Sequence, residues 1–246
     1  MSLKYTENST LHNKTAIVTG GARGIGYAIS ERLLDEGVRV VFCATRQEHV
    51  DRAVAHLSRH GEVFGMVADV SKYDQVKQFV AAAELSLQGV DILVNNAGAG
   101  VFRAVSQLSP DEWDRMIGVN LSGAYYCCHE VLPIFNQRKG GDIINLSSLA
   151  GRNPFAGGAG YNASKYGLNG FSEAMMLDHR GEGVRVSYIM PGSVETEFGG
   201  NAPGSGADWK IAPEDVAEVV VTLLRMPRRT TVSRVEIRPS IPPGKA

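Results

Sequence analysis

Short runs of β-branched and aliphatic residues alternate along the chain with longer stretches whose apolar positions recur every three to four residues. The runs predict strands at Thr15–Thr19, Arg39–Ala44, Glu62–Ala68, Asp91–Val94, Asp142–Leu146, Val184–Met190 and Val232–Ile237. Between them, segments such as Ile25–Glu36 put Ile25, Ile29, Leu33 and Leu34 on one helical face. Strands that are apolar at nearly every position must be covered on both faces. The pattern therefore predicts an α/β fold: a doubly wound, seven-stranded parallel sheet with right-handed crossovers and helices on both faces.

Helix starts are written in the sequence. Ser109-Pro110-Asp111-Glu112 combines a capping box with proline in the first turn, and predicts a long helix running toward Phe135. Pro133 should end or kink its last turns. Ala212-Pro213-Glu214-Asp215 opens another helix in a similar way. Residues 191–211, rich in glycine and carrying Phe198 and Trp209, form a loop long enough to be a lid or a binding loop. A flexible segment is expected over residues 1–12 and one domain over 13–246, with an extended proline-rich tail from Pro239 to Gly244.

At 246 residues, with 43% hydrophobic residues, the chain can bury a large single core. A net charge of −1 gives no electrostatic reason to expect nucleic acid and suits a small-molecule substrate. Cys43, Cys127 and Cys128 all lie in apolar runs. Their spacing fits neither a disulfide framework nor a metal site, so they are expected to be buried free thiols. No secretory signal and no membrane-spanning run is present, which leads to the expectation of a cytoplasmic protein without membrane or metal partners.

Candidate chemistry begins with Tyr161. Lys165, four residues on, shares its helical face, and Ser148 lies thirteen residues before it. A tyrosine hydroxyl titrates near ~10 and can act as an acid or base near neutrality if a neighbouring cation stabilises the phenolate. Tyr73 also has a lysine four on, Lys77, but it follows a probable-cap serine, Ser71, at the start of a polar-faced helix and reads as structural.

The turn after the first strand is Thr19-Gly20-Gly21-Ala22-Arg23-Gly24-Ile25-Gly26. Such glycines let a backbone approach a pyrophosphate at a helix N-terminus, although a tight strand-to-helix connection needs glycine with or without a ligand. A site for NAD usually has an acid about 20 residues beyond the first glycine. Here the second strand ends Phe42-Cys43-Ala44-Thr45-Arg46, with no acid, and Arg46 and Arg23 suit a 2′-phosphate. The expected cofactor is NADP(H).

These motifs together resemble the short-chain dehydrogenase/reductase family from about Asn13 to Pro239. The resemblance implies a Rossmann-type domain, with Gly20, Arg23, Gly24, Ile25 and Gly26 as the cofactor turn. It also implies adenine contacts at Asp69 and Val70, and a cofactor wall at Asn96, Ala97 and Gly98 within Asn95-Asn96-Ala97-Gly98. Pro191, Gly192, Val194 and Thr196 would hold the nicotinamide. Asn120, Ser148, Tyr161 and Lys165 fall where the family places its catalytic tetrad, Tyr161 and Lys165 also contacting the cofactor. Lys165 would depress the Tyr161 pKa and bind the nicotinamide ribose, and Asn120 would hold a relay water or else satisfy backbone groups at a helix irregularity. The ending Val232 to Pro239, without a paired glycine, resembles the subgroup of NADP-dependent 3-hydroxy acid and alcohol dehydrogenases, and counts against a 3-oxoacyl carrier-protein reductase. Phe102, Phe155, Phe198 and Trp209 are candidate substrate walls, and Arg103 or Arg152 a candidate carboxylate partner. Family members pack as homodimers or homotetramers through helices corresponding to those after Pro110 and Tyr161. A dinucleotide-binding sensor without turnover is the competing reading, and the intact tetrad ranks it lower.

Overall fold

The computed structural model describes residues 10–198 and 209–241. In chain order the elements are β1 (Thr15–Thr19), α1 (Gly24–Asp35), β2 (Arg39–Ala44), α2 (Gln47–Leu57), β3 (Val63–Val67), α3 (Tyr73–Leu87), β4 (Ile92–Asn95), α4 (Pro110–Ile117), α5 (Gly123–Gln137), β5 (Gly141–Leu146), α6 (Ala159–His179), β6 (Val184–Pro191), α7 (Pro213–Leu224) and β7 (Arg234–Ile237). The strands pair in the order β3-β2-β1-β4-β5-β6-β7, all parallel. This is the expected doubly wound Rossmann sheet. Strand order reverses between β1 and β4, where crevices at the carboxyl ends of the strands take ligands.

One apolar layer packs α1, α2 and α7 on the sheet through Leu33, Val50 and Val220; the other packs α3, α5 and α6 through Phe79, Phe135 and Met175. Ile29, Leu33 and Leu34 of α1 are buried as predicted, while Ile25 is only partly buried because it lies at the open end of the sheet. Leu11, expected in a flexible segment, is buried in the first layer, so the ordered body begins before Asn13. Residues 1–9, the middle of the 191–211 loop and the tail beyond Ile241 lie outside the described residues.

Several element ends differ from the sequence expectation for local reasons. Asp91, predicted inside the fourth strand, precedes it. Its carboxylate accepts from the Thr15 backbone N–H at 3.0 Å and Arg138 at 2.9 Å, which ties the starts of β1 and β4 together. Glu62, Ala68 and Val232 fall just outside their strands. The helix opened by the Ser109 capping box does not run unbroken to Phe135. It widens at Gly118–Ser122, where the Gly123 N–H reaches back five residues to the Gly118 carbonyl. Pro133 does not end α5, which continues to Gln137 because Ile134 and Phe135 are buried against the sheet and hold the last turn in place. At α7 the opening is half a capping box: the Asp215 carboxylate accepts from the Ala212 N–H at 2.9 Å, and alanine has no oxygen to return. Lys72, not Ser71, occupies the cap position of α3; the Ser71 hydroxyl donates instead to Asp69. Tyr73 donates to Glu130 at 2.6 Å and stacks on Tyr126, a structural role as read.

The glycine turn is where the fold is tightest. A Cβ on Gly26 would sit 2.3 Å from both the Asn96 Nδ2 and the Gly20 carbonyl, whereas one on Gly24 would meet only the Thr196 methyl at 3.3 Å, at a positive φ of +54°. Gly26→Ala is therefore expected to lower stability by about 3 kcal/mol or more through overpacking, and Gly24→Ala by only about 1–2 kcal/mol of backbone strain. Urea melts of the two variants check the ordering.

The three cysteines are buried free thiols. Burial pushes the Cys43 and Cys128 thiols up to about 12 and Cys127 well above its ordinary value. A raised folded pKa contributes stability that is complete below the unfolded thiol pKa of about 8.5 and is lost as pH rises toward the folded value. Buried Lys165, lowered to about 8, acts in the opposite sense, but three groups outweigh one. Unfolding free energy is expected to fall above about pH 9, less steeply in Cys127→Ala, and a thiol reagent should label the three cysteines only after unfolding.

Candidate active site

The strand ends at the order reversal open onto a cavity of about 1080 Å³. Thr19, the last residue of β1, is buried, and its Oγ1 accepts from the Asn96 and Ala97 backbone N–H groups, each at 3.0 Å. In return the Asn96 Nδ2 donates to the Thr19 and Gly20 carbonyls at 2.9 and 3.1 Å. This reciprocal clasp leaves the Gly20–Ile25 backbone lining the cavity beside Asn96, Ala97 and Gly98. Gly26, predicted to contact cofactor, lies behind the wall; its missing side chain lets α1 approach the turn.

Around one end of the cavity stand Arg23, Arg46, Asp69 and Val70, all predicted, together with Thr45, His49 and Arg115, which sequence reasoning missed. Arg23 pairs with Glu197 at 3.1 Å and Arg46 with Glu48 at 3.4 Å, all four side chains exposed. Burial, then the nearby Arg46 and Arg23 charges, hold the His49 imidazole below its ordinary pKa. The Asp69 carboxylate accepts from the Ser71 N–H and hydroxyl and so orders the wall. Thr45 and His49 flank Arg46 between β2 and α2, a position that the carboxyl-end rule for parallel sheets singles out.

The predicted tetrad converges from three parts of the fold. Ser148 follows β5, Tyr161 and Lys165 share one face of α6, and Asn120 sits in the wide turn between α4 and α5. Ser148, Tyr161 and Lys165 line the cavity; Asn120 is fully buried behind them. Its Nδ2 donates to the Ala99 carbonyl at 2.8 Å and the Ser164 Oγ at 2.9 Å, and its Oδ1 accepts from the Ala99 N–H at 2.7 Å. That leaves a single Oδ1 lone pair toward water. The neighbouring serines differ: the Ser147 hydroxyl is taken up by Asn169 at 2.5 Å, while Ser148 accepts from the Ala150 N–H at 3.1 Å and lies close enough to Tyr161 to lower its pKa.

Lys165 Nζ donates to the Leu146 carbonyl at 2.7 Å and lies 5.8 Å from the Tyr161 ring centroid. Among the described residues no other acceptor takes its two remaining N–H groups, and no carboxylate faces it. Burial alone therefore lowers its pKa to about 8. The expected depression of the Tyr161 pKa by this lysine is not what the geometry gives. Burial raises the phenol above its ordinary value, and it is the Ser148 hydroxyl that opposes the rise.

Beyond Tyr161, aromatic rings form the wall. Phe102 meets Tyr161 edge-on at 5.4 Å, Phe198 lies 5.7 Å from Tyr161, and Phe155 lies 5.8 Å from Phe102. With Trp209 these are the apolar walls expected from sequence. Pro191, Gly192, Val194 and Thr196 line the same side. The base of their loop is closed by the Val194–Ile211 bridge and by a Lys210–Glu195 ion pair at 2.8 Å. Neither candidate carboxylate partner lines the cavity: Arg103 pairs with Glu112 at 3.2 Å and Arg152 with Glu236. Arg238, just past β7, does line it.

The residues present fit a dinucleotide: a glycine cradle at a helix N-terminus, a lysine with two uncommitted donors, and an elongated cavity of matching size. No group of metal-ligating side chains occurs among the described residues. No helix among them is long and apolar enough to cross a membrane.

Residues 14–204 match the family model described as short chain dehydrogenase. Dehydrogenase/reductase SDR family member 4 of Oryctolagus cuniculus is 34% identical over 225 residues, covering 91% of this chain and 84% of its own length. An alcohol dehydrogenase from Thermococcus sibiricus, solved with 5-hydroxy-NADP, superposes with a TM-score of 0.88 at 28% identity, covering 95% of this chain and 99% of its own. A metagenomic short-chain oxidoreductase in complex with NADP superposes with a TM-score of 0.83 at 36% identity, covering 95% and 100%. Sequence and architecture thus agree over nearly the whole chain, which belongs to the short-chain dehydrogenase family of oxidoreductases.

Proposed function

We propose that the chain is an NADP(H)-dependent oxidoreductase that interconverts a carbonyl and a secondary alcohol, with Tyr161 as the general acid/base. The observation that carries this reading is that Tyr161, Ser148 and buried Lys165 together line the wall of a cavity that begins at the glycine turn. Gly20, Gly24 and Ile25 would bring backbone to the pyrophosphate, and Arg23 and Arg46 would take the 2′-phosphate in a region with no acid at the end of β2. The two NADP-bound structural neighbours support the same choice.

When bound, the nicotinamide supplies or accepts the hydride. In the reducing direction the Ser148 Oγ donates to the substrate oxygen and Tyr161 Oη gives it a proton as charge develops. Lys165, with two free N–H groups, would hold ribose hydroxyls. Protons return through Lys165 and a water on the remaining Asn120 Oδ1 lone pair. In oxidation the order reverses. The aromatic wall keeps water from the reacting carbon. Homodimers or homotetramers would form through α5 and α6, which expose Tyr125, Tyr166 and Leu177.

Fluorescence-monitored turnover against ketones, 3-oxo acids, 3-oxoacyl thioesters and quinones tests the assignment. NADPH-selective activity that falls roughly 10²–10⁴-fold in Tyr161→Phe is expected. Tight NADPH binding with no turnover across the panel would favour a dinucleotide sensor. Because burial keeps Tyr161 protonated through neutral pH, carbonyl reduction should stay level there and decline only in the alkaline range, while alcohol oxidation should climb with pH. Profiles of kcat/KM against pH in both directions would refute the acid/base role if they ran the other way.

A further inference from the structure

Among the described residues, one carboxylate beside the substrate end of the cavity is matched by two arginines. Glu195 is matched by Lys210 at 2.8 Å. Glu236 on β7 faces two guanidiniums: Arg238 donates to its Oε2 at 2.8 Å, and Arg152 takes its Oε1. Both arginines hold Glu236 below the usual carboxylate range, so it stays ionised and the triad carries one net positive charge. Of the two arginines, only Arg238 lines the cavity.

Its position follows from the sheet. β7 pairs with β6 through Pro191–Ile237, and the Gly192 N–H donates to the Ile237 carbonyl at 2.8 Å, so Arg238 emerges beside Gly192 and Ser193. Leu149, next to Ser148, packs on Gly192 from the other side. Three strands, β4, β5 and β6, separate β7 from the glycine turn of β1, so Arg238 belongs to the end where Ser148 and Tyr161 act. Arg238 is half exposed, lines the cavity and has further donors in a fixed fork, whereas Arg152 does not line it.

We propose that Arg238 anchors a carboxylate on the substrate, with Arg152 acting as a positioning residue that shares Glu236, so that Arg238 gives Glu236 one N–H and keeps its other donors for the ligand. The inference rests on the oxidoreductase reading and names its substrate class: oxo acids and hydroxy acids, rather than neutral ketones and alcohols. A carboxylate entering here would exchange water for a charge-assisted, bidentate pair with a guanidinium.

Calorimetric titration of the full chain, with and without NADP⁺, would use butanoate, hexanoate and octanoate against the matching amides. Because these ligands do not react, the result is independent of turnover, and failure of the carbonyl panel would count against the enzyme reading alone. Carboxylates are expected to bind about tenfold or more tightly than their amides, the size of one charge-assisted bond. Arg238→Gln should abolish that preference and Glu236→Gln should increase it, a change of opposite sign that a folding defect would not produce. Equal affinities for acid and amide, or a preference unchanged in Arg238→Gln, would overturn the proposal. So would an Arg238→Gln effect confined to NADP⁺ affinity, which would place the arginine in the cofactor site.

Discussion

The clasp between Thr19 and Asn96 is the constraint on which the site depends. Parallel strands β1 and β4 are neighbours in the sheet, but their following segments go to opposite faces, and a crevice must open between them. Thr19 Oγ1 gathers two backbone N–H groups from the β4 exit, and the Asn96 amide gathers two carbonyls from the β1 exit. Each of these buried polar groups would be costly if left unpaired, so the two exits move as one body. Gly26 completes the arrangement because any side chain there would strike the clasp itself.

A second set of polar contacts carries the clasp to the reactive end. β4 and β5 place Asn95 opposite Asn145, and the Asn95 amide donates to the Asn145 Oδ1 at 2.8 Å and to the Cys128 sulfur. The Asn145 amide then donates to Ser172 on α6 at 2.8 Å. Asn120 joins the wide turn between α4 and α5 to Ala99 and, through Ser164, to α6. Because α6 presents Tyr161 and Lys165, these buried bonds set how far both side chains stand from Ser148. Packing alone would tolerate small slips of α6; satisfied amides do not.

Electrostatically the reactive end is unusual for what it lacks. Lys165 is buried with only a carbonyl partner, and Tyr161 is buried with only a serine. Both are therefore held toward their neutral forms: Tyr161 keeps its proton through neutral pH, and Lys165, lowered to about 8, can change protonation at modest cost. A carboxylate beside Lys165 would fix its charge permanently and remove that capacity. At the substrate end the reverse holds: Glu236 is ionised and over-matched by two arginines, giving a standing positive charge.

Much of this was legible from residue order. Strand and helix periods predicted the sheet because burial on both faces leaves a continuous apolar signature, and the glycine turn, Ser148, Tyr161 and Lys165 stood out by spacing. Less legible were features set by long-range partners. Pro133 reads as a helix end, but Ile134 and Phe135 are held against the sheet, and tertiary burial outweighs the lost hydrogen bond. Arg103 and Arg152 read as free cations, yet each meets a carboxylate from elsewhere in the fold, Glu112 and Glu236. Arg238 lies in an ending read from sequence only for its missing paired glycine, and gains its place because β7 pairs with β6. By itself the sequence determined which backbone can turn, which faces are apolar and which side chains can do the chemistry, since those are local properties of residue type and period. Which charges remain unmatched, and which hydroxyl carries the raised pKa, only the tertiary structure decided, because partner distance and exclusion from water arise when the elements pack.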